Sequence, residues 1–323
     1  MAPLLKLNTG ANMPAIGFGT WQATVEELEA AVEMALEVGY RHIDAAYVYN
    51  NEEAIGKVLK KWIGSGKIKR EDLFIVTKLP PVGNRPSGVE KYLSRSLEKL
   101  GLDYVDMYLI HVPFAFLERG EEIHPANEDG SMLIDPSTDL IEVWKAMEAQ
   151  VDAGRAKAIG LSNFNIPQIE RILKAARIPP ANLQVELHLY FQQRELVEFC
   201  KKHDIVVCAY SPLGSRGSAK LFQAVGVSKE LPDLMNNPTV LEVAKRLGKT
   251  PAQILLRHII QRGLAAIPKS TNPERIRQNF QVHDFELNSE DMSSLDKLDQ
   301  GPAARIVDFE FMKGIKNHPE FPF

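Results

Sequence analysis

The sequence predicts an α/β fold, a (β/α)8 TIM barrel, on three observations. Short β-branched runs alternate with amphipathic segments along the chain, the rhythm of a parallel sheet. Eight such runs follow an initial hairpin. Each run ends in a polar residue beside Gly, Ser, Asn or Pro, at the end where barrels of this kind carry their sites.

The hairpin spans Leu4 to Ile16 and turns at Asn8 to Asn12. The barrel strands are expected at 15–19, 41–44, 73–77, 104–110, 156–161, 182–187, 205–210 and 264–267. Between them lie helical stripes such as Val25, Leu28, Val32 and Leu36, or Leu140, Val143, Trp144, Met147 and Val151, spaced to pack one face onto the sheet. Two connections are long, Val112 to Asp139 after the fourth strand and Ser211 to Asn237 after the seventh. With the aromatic tail from Gly301 to Phe323 they are expected to lie over the active site and shape a pocket. No Ser/Gly/Pro-rich linker or composition shift divides the chain, so 1–323 reads as one barrel domain.

Composition narrows the function. The 323 residues are 45% hydrophobic and 25% charged, an ordinary soluble mixture that excludes disorder, collagen and coiled coil. A net charge of −4 and a pI near 6.1 leave no global positive field for nucleic acid or an anionic membrane. A small molecule is the expected partner. With no run approaching the ~18 apolar residues of a membrane span and no secretory leader pattern, the expected location is cytoplasmic. Cys200 and Cys208 make no disulfide framework.

The strand ends carry the chemistry: Asp44, Lys78, His111, Ser162 and Asn163, Gln184, Tyr210 and Ser211, Lys269 and Ser270. Any one of them alone is ordinary, His111 a core histidine or Asp44 a helix cap. Their coincidence at successive strand ends is what points to a site at one mouth of the barrel. Other motifs fail. Gly17-Phe18-Gly19 lacks the third glycine of a dinucleotide fingerprint and reads as a close turn. Gly64-Ser65-Gly66-Lys67 lacks the first glycine and the final Ser/Thr of a P-loop. Cys200, His203 and Cys208 are split between a helix and a strand and read as packing residues, so no metal is expected. The acidic run Glu118 to Asp129, with His124, reads as a solvated loop.

From the hairpin to the final His318-Pro319-Glu320-Phe321-Pro322-Phe323, the chain resembles the aldo-keto reductase superfamily. The stretches that carry the likeness are GFGTWQ (17–22), YRHIDAAYVYNNE (40–52), IVTKL (75–79), YVDMYLIH (104–111), GLSNFN (160–165), QVELH (184–188), AYSPLGS (209–215) and IPKSTNPERIRQN (267–279). It is most similar to aldehyde and aldose reductase-type members. TKLPPVGNRPSGVE and HVPFAF resemble insect members, some of which reduce dehydroecdysteroids.

The resemblance implies an NADP-dependent enzyme that reduces aldehydes or ketones to alcohols, with Asp44, Tyr49, Lys78 and His111 as the catalytic set. Chemically the set is coherent: carbonyl reduction needs a hydride and a proton. Tyr49 would supply the proton, with the ammonium of Lys78 favouring its phenolate and Asp44 holding Lys78 charged. His111 would orient the carbonyl.

For NADPH, the resemblance implies Lys269, Ser270 and Arg275 at the 2′-phosphate, with Thr271 and Asn272 in the same segment and Gln278 and Asn279 near the adenine. Pro273 would open the helix there, whose N-terminus attracts anions. Ser162, Asn163 and Gln184 would hold the carboxamide, Tyr210 would stack on the nicotinamide, and Ser211, Leu213 and Ser215 would follow the pyrophosphate, with Thr20 and Trp21 at the first strand.

The substrate pocket is expected to draw on Trp21, Val48, Leu79, Val112, Phe114, Phe116, Phe309 and Phe311. Leu79 and Val112 stand where many mammalian relatives carry aromatics. In place of the aspartate that clamps the cofactor in aldose reductase-type enzymes, the loop after the seventh strand reads Arg216-Gly217, so that clamp is absent or relocated. The expected state is a monomer, as is usual among the resembled reductases. A non-catalytic role on the same barrel, or an unrelated barrel hydrolase, are the alternatives.

Overall fold

A computed structural model describes residues 3–224 and 226–323. Met1 and Ala2, within the expected domain, and Val225, within the expected connection 211–237, lie outside the described residues. Strands β1 (Leu4–Lys6) and β2 (Asn12–Pro14) form the antiparallel hairpin. The barrel strands are β3 (Phe18–Gly19), β4 (His42–Asp44), β5 (Phe74–Leu79), β6 (Val105–Ile110), β7 (Ala156–Ser162), β8 (Asn182–Glu186), β9 (Val206–Tyr210) and β10 (Ala265–Ala266). They pair in parallel in sequence order. Closure comes from the parallel bridge between Ile16 and Ala266, with Gly17 N–H donating to the Ala266 carbonyl at 2.9 Å and Ala266 N–H to the Ala15 carbonyl at 2.8 Å.

Helices α1 (Val25–Val38), α2 (Glu52–Gly64), α3 (Pro86–Leu100), α4 (Leu140–Asp152), α5 (Ile166–Ala175) and α6 (Arg194–Lys202) supply the crossovers from β3 to β9. After β9 come α7 (Ser218–Ala224), α8 (Pro238–Leu247) and α9 (Pro251–Gln261), and after β10 come α10 (Pro273–Phe280) and α11 (Ser289–Asp296). Neighbouring helices pack around the sheet, and α10 lies against α1. The apolar stripe of α1 is buried through Leu28, Val32 and Leu36, but Val25, in the first turn, is 46% exposed.

Both faces of the sheet are buried, as a parallel barrel requires, and side chains alternate between them. Val76, Met107, Leu109, Ala158, Cys208 and Ala265 fill the interior, and Leu7 and Met13 of the hairpin pack against this inner cluster. Ile43, Ile75, Leu79, Tyr108, Ile110, Ile159, Leu161, Leu183 and Val185 belong to the larger core shared with the helices. Gly64 and Gly66 end α2, which disposes of the P-loop likeness. Gly17 and Gly19 are set by contact: a Cβ on Gly17 would lie 2.6 Å from the His42 ring, and one on Gly19 would lie 2.7 Å from the Ile267 carbonyl. Cys200 and Cys208 are buried free thiols, and among the described residues no group of three or more His, Cys, Asp or Glu is placed to hold a metal ion. Nor is any helix among them long and apolar enough to cross a membrane.

The two glycine environments give a test. Gly19→Ala forces a methyl against backbone at the barrel seam and should lower unfolding free energy by about 1–3 kcal/mol. Gly64→Ala, on an exposed helix end with no atom within 4 Å of the new methyl, should be neutral or stabilising by up to about 1 kcal/mol. Urea denaturation of both variants checks the contrast; equal effects would contradict the packing described.

Candidate active site

Alternation along parallel strands brings the polar strand ends together. Asp44 on β4 shares the inward parity of His42, Lys78 that of Val76, Gln184 that of Asn182, and Tyr210 that of Cys208. His111 continues the Met107 and Leu109 series one residue beyond β6. They meet at the C-terminal mouth below a cavity of about 960 Å3.

Tyr49 reaches this mouth from a 3-10 turn, Tyr47–Tyr49, directly after β4. The turn closes with Tyr49 N–H donating to Ala46 at 3.0 Å and Asn50 in the left-handed region. Asn51 pins the segment by donating to the Thr20 carbonyl at 2.9 Å.

At the centre, the Lys78 ammonium donates to Asp44 Oδ1 at 2.6 Å, to the Ala45 carbonyl at 2.8 Å and to Tyr49 Oη at 3.4 Å. Gln184 Nε2 occupies the other Asp44 oxygen at 2.7 Å, and Thr20 Oγ1 donates to the Asp44 backbone carbonyl at 2.8 Å. Burial pulls Lys78 towards the neutral amine, but the charge of Asp44 and the neighbouring Tyr49 outweigh it, and its pKa stands above the ordinary 10.5. Burial raises Tyr49 above 10.0, and Lys78 opposes this without cancelling it. The expected lowering of the tyrosine is therefore present as a contribution but is not the net result: water is excluded from the phenol more strongly than the ammonium favours its anion.

The His111 ring stands edge-on to Tyr49 with centroids 5.7 Å apart. Burial, then Lys78 and His124, hold its pKa well below 6.5. The imidazole is neutral at pH 7. Its Nδ1 is buried without a partner, which leaves Nε2 as the nitrogen facing the cavity.

A second polar cluster lies beside the first. Asn163, at positive φ, donates to the His111 carbonyl at 2.9 Å and to Ser162 Oγ at 3.1 Å, and accepts from Tyr210 Oη at 2.7 Å. Ser215 Oγ donates to Ser211 Oγ at 2.5 Å. Gln22, Asn163, Ser211, Ser215 and Phe309 all line the cavity at positive φ, so left-handed backbone at non-glycine residues gathers at this mouth.

The far end of the cavity is lined by Lys269, Ser270, Thr271, Arg275, Gln278 and Asn279. Pro273 does open α10, with Asn272 as its cap. Lys269, held below its usual pKa by burial, donates to the Gln22 carbonyl at 3.3 Å. Arg216 pairs with Asp233 inside its own loop.

Most expected residues line one cavity: Thr20, Trp21, Asp44, Val48, Tyr49, His111, Val112, Phe114, Ser162, Asn163, Gln184, Tyr210, Ser211, Leu213, Ser215, Phe309 and Phe311 among them. Lys78 lies beneath its floor, fully buried. Three expectations are corrected. Leu79 follows Lys78 and therefore points outward, into the core around Val82 and Tyr92. Phe116 is buried behind Phe114, with ring centroids 5.8 Å apart. Asn272 does not reach the wall, because its Oδ1 accepts from Arg275 N–H at 3.0 Å to cap α10. The acidic run is largely exposed, and His124, exposed like its neighbours, also lines the cavity.

Sequence reasoning missed Gln22, Pro81, Val307 and Met312, and the Thr250–Ala252 corner at the start of α9. A capping box of Thr250 and Gln253 marks that corner as a helix start. Nothing local marks the others.

A barrel with an ammonium, a phenol and a neutral imidazole gathered at its C-terminal mouth is of the class that acts on a small molecule held at the strand ends. The chain belongs to the Aldo/keto reductase family, whose model matches residues 15–300. Members are oxidoreductases that act on carbonyls with a nicotinamide cofactor. Among curated relatives it is 45% identical to Aldo-keto reductase family 1 member A1 of Cricetulus griseus, over 100% of this chain and 99% of that one. It is 44% identical to the Homo sapiens protein of the same name, over 100% and 98%. Among solved structures it is similar to the aldose reductase from Schistosoma japonicum, with a TM-score of 0.89 and 42% identity, covering 99% of this chain and 98% of that one.

The neutral imidazole carries a pH signature. Because folding lowers the pKa of His111, the unfolded chain takes up this proton first as pH falls. The stability contributed by the neutral ring is complete above about pH 6.5 and is lost as pH falls from there through the lowered value. Subtracting the unfolding free energy of His111→Gln from that of the native chain should leave a difference flat above pH 7. Below pH 6 it should fall by up to about 1.4 kcal/mol per pH unit. A difference flat across the range would mean His111 titrates normally.

Proposed function

We propose that the protein is an NADPH-dependent carbonyl reductase that converts aldehydes or ketones to alcohols, with Tyr49 as the proton donor. The observation that carries this is Tyr49 Oη 3.4 Å from the ammonium of Lys78, which is itself bound to Asp44 at 2.6 Å, at the floor of a largely apolar cavity.

The wall fits a nicotinamide dinucleotide. Lys269, Ser270, Arg275 and the N-terminus of α10 offer charge and donors for a phosphate, with Gln278 and Asn279 beside them. Gly19 leaves the strand backbone bare at the rim. Ser211, Leu213 and Ser215 follow the middle of the cavity, Tyr210 offers a flat face, and Ser162, Asn163 and Gln184 gather amide and hydroxyl groups around it. When bound there, the nicotinamide supplies the hydride.

The chain's own residues do the rest. His111 Nε2–H donates to the carbonyl oxygen and stabilises charge as it develops there, in a site with few competing waters. Tyr49 is protonated at neutral pH and gives its proton to the oxygen as the alcohol forms. Lys78 stabilises the phenolate left behind, and Asp44 keeps Lys78 charged throughout. Trp21, Val48, Val112, Phe114, Phe309 and Phe311 exclude water and favour an apolar carbonyl compound. With both thiols buried and free and a single barrel as its architecture, the enzyme is read as a one-domain cytoplasmic monomer.

Tyr49→Phe should lower 4-nitrobenzaldehyde reduction by about 10²–10⁴-fold while leaving NADPH affinity intact, read by steady-state kinetics and fluorescence titration. Near-native turnover would eliminate Tyr49 as the acid. Lys269→Met should weaken NADPH by about tenfold or more and NADH little. Equal losses for the two cofactors would move the phosphate site elsewhere.

A further inference from the structure

Glu186 lies one strand repeat beyond Gln184 on β8, fully buried, and takes no part in the chemistry above. Its two carboxylate oxygens accept from consecutive backbone amides of the C-terminal tail: Ile306 N–H to Oε1 and Val307 N–H to Oε2, each at 2.7 Å. Successive amides of an extended chain point to opposite sides, so two converging on one carboxylate mark a turned backbone that forms an anion-binding nest. His188 Nε2 adds a third contact to Oε1 at 2.9 Å. The buried, unpartnered Nδ1 of His188 makes Nε2 the nitrogen that carries the proton.

The anchor stands between the floor and one wall of the cavity. Glu186 is the register partner of Tyr210 across β8 and β9. Directly after the anchored amides, Val307 and Phe309 enter the cavity lining, and Phe309 packs edge-on against Phe114 with centroids 5.2 Å apart. Just before them, the Arg305 guanidinium lies over Phe191 at 4.6 Å and Phe323 at 3.5 Å. From residue 301 onward the tail contains only two short 3-10 turns, Gly301–Ala304 and Ile315–Asn317. No strand or α-helix of its own sets the depth at which Val307 and Phe309 reach over Tyr49 and His111.

We propose that Glu186 is a positioning residue for substrate selection: its carboxylate fixes the Val307–Phe309 wall, so that broad apolar carbonyl compounds are held against Tyr49 and His111 while small aldehydes need no such wall. The proposal rests on the carbonyl-reductase reading. Glu186→Gln keeps the shape but leaves one oxygen to accept and turns an NH2 towards the second amide, so the nest loses its complement.

The test is NADPH-dependent reduction of 9,10-phenanthrenequinone, broad and apolar, beside 4-nitrobenzaldehyde, small and reactive. Glu186→Gln should raise KM for the quinone by about tenfold, with kcat, the aldehyde KM and NADPH affinity within about twofold of native. Phe309→Ala, which trims the wall without touching the anchor, should raise the quinone KM likewise. In the native protein, the Ile306 and Val307 amides should exchange with deuterium as slowly as those of β8, and about 10²-fold faster or more in Glu186→Gln. Unchanged quinone KM, equal loss on both substrates, or fast exchange of the two amides in the native chain would overturn the proposal. A native protein that reduces neither carbonyl yet protects both amides would refute the reductase reading and leave the anchor standing.

Discussion

A buried ion pair constrains everything around it. Lys78 and Asp44 sit inside the barrel with side chains 0% and 2% exposed, where removing two charges from water costs several kcal/mol per ion before their attraction is counted. The surroundings answer that cost with a full set of hydrogen bonds. The three ammonium protons of Lys78 have three acceptors, and each oxygen of Asp44 has a donor. Apolar residues of similar volume would serve the fold at least as well. What they would not do is hold a positive charge within reach of a protonated phenol, so the pair is best understood as stability given up for chemistry.

This constraint explains why so much of the site was legible. Parallel strands buried on both faces fix direction and parity at once: the last inward residue of each strand must face the mouth. Asp44, Lys78 and Tyr210 obey that rule, Gln184 shares the inward parity one repeat before its strand ends, His111 lies one step past a strand end, and the same parity explains the failure at Leu79. A neighbour in sequence is on the opposite face in space. Reading Leu79 beside Lys78 as a pocket residue ignored parity; reading Glu186 two residues after Gln184 would have used it. The strands and the hairpin were legible for the same reason, since their patterns repeat at fixed period.

The walls follow no period, and there the sequence carried less. Phe114 and Phe116 look alike in sequence, yet one lines the cavity and the other packs behind it. His124 sits in an acidic, largely exposed stretch and still reaches the lining. Loops without ladders are held by individual polar side chains that satisfy their backbone groups, and such bonds link residues far apart in sequence. Asn84 does this on one wall, donating at 2.7 Å to the carbonyls of both Val112 and Phe114. Glu186 does it on the other, across more than a hundred residues.

Rigid floor and stapled walls together determine what the phenol experiences. Burial raises Tyr49 more than Lys78 lowers it, which in open solvent would make a poor acid. For the proposed reduction, the comparison that matters inside the mouth is with the alkoxide that would form beside it, a far stronger base facing the same dry walls. Excluding water raises the cost of both anions, but only the phenolate has an ammonium at hand. In the proposed reduction that difference would drive the proton from Tyr49 to the new alkoxide, and it would grow as the walls close more tightly. On that reading, backbone anchors far from the reacting atoms would contribute to acid strength at the centre, because they keep that comparison free of solvent.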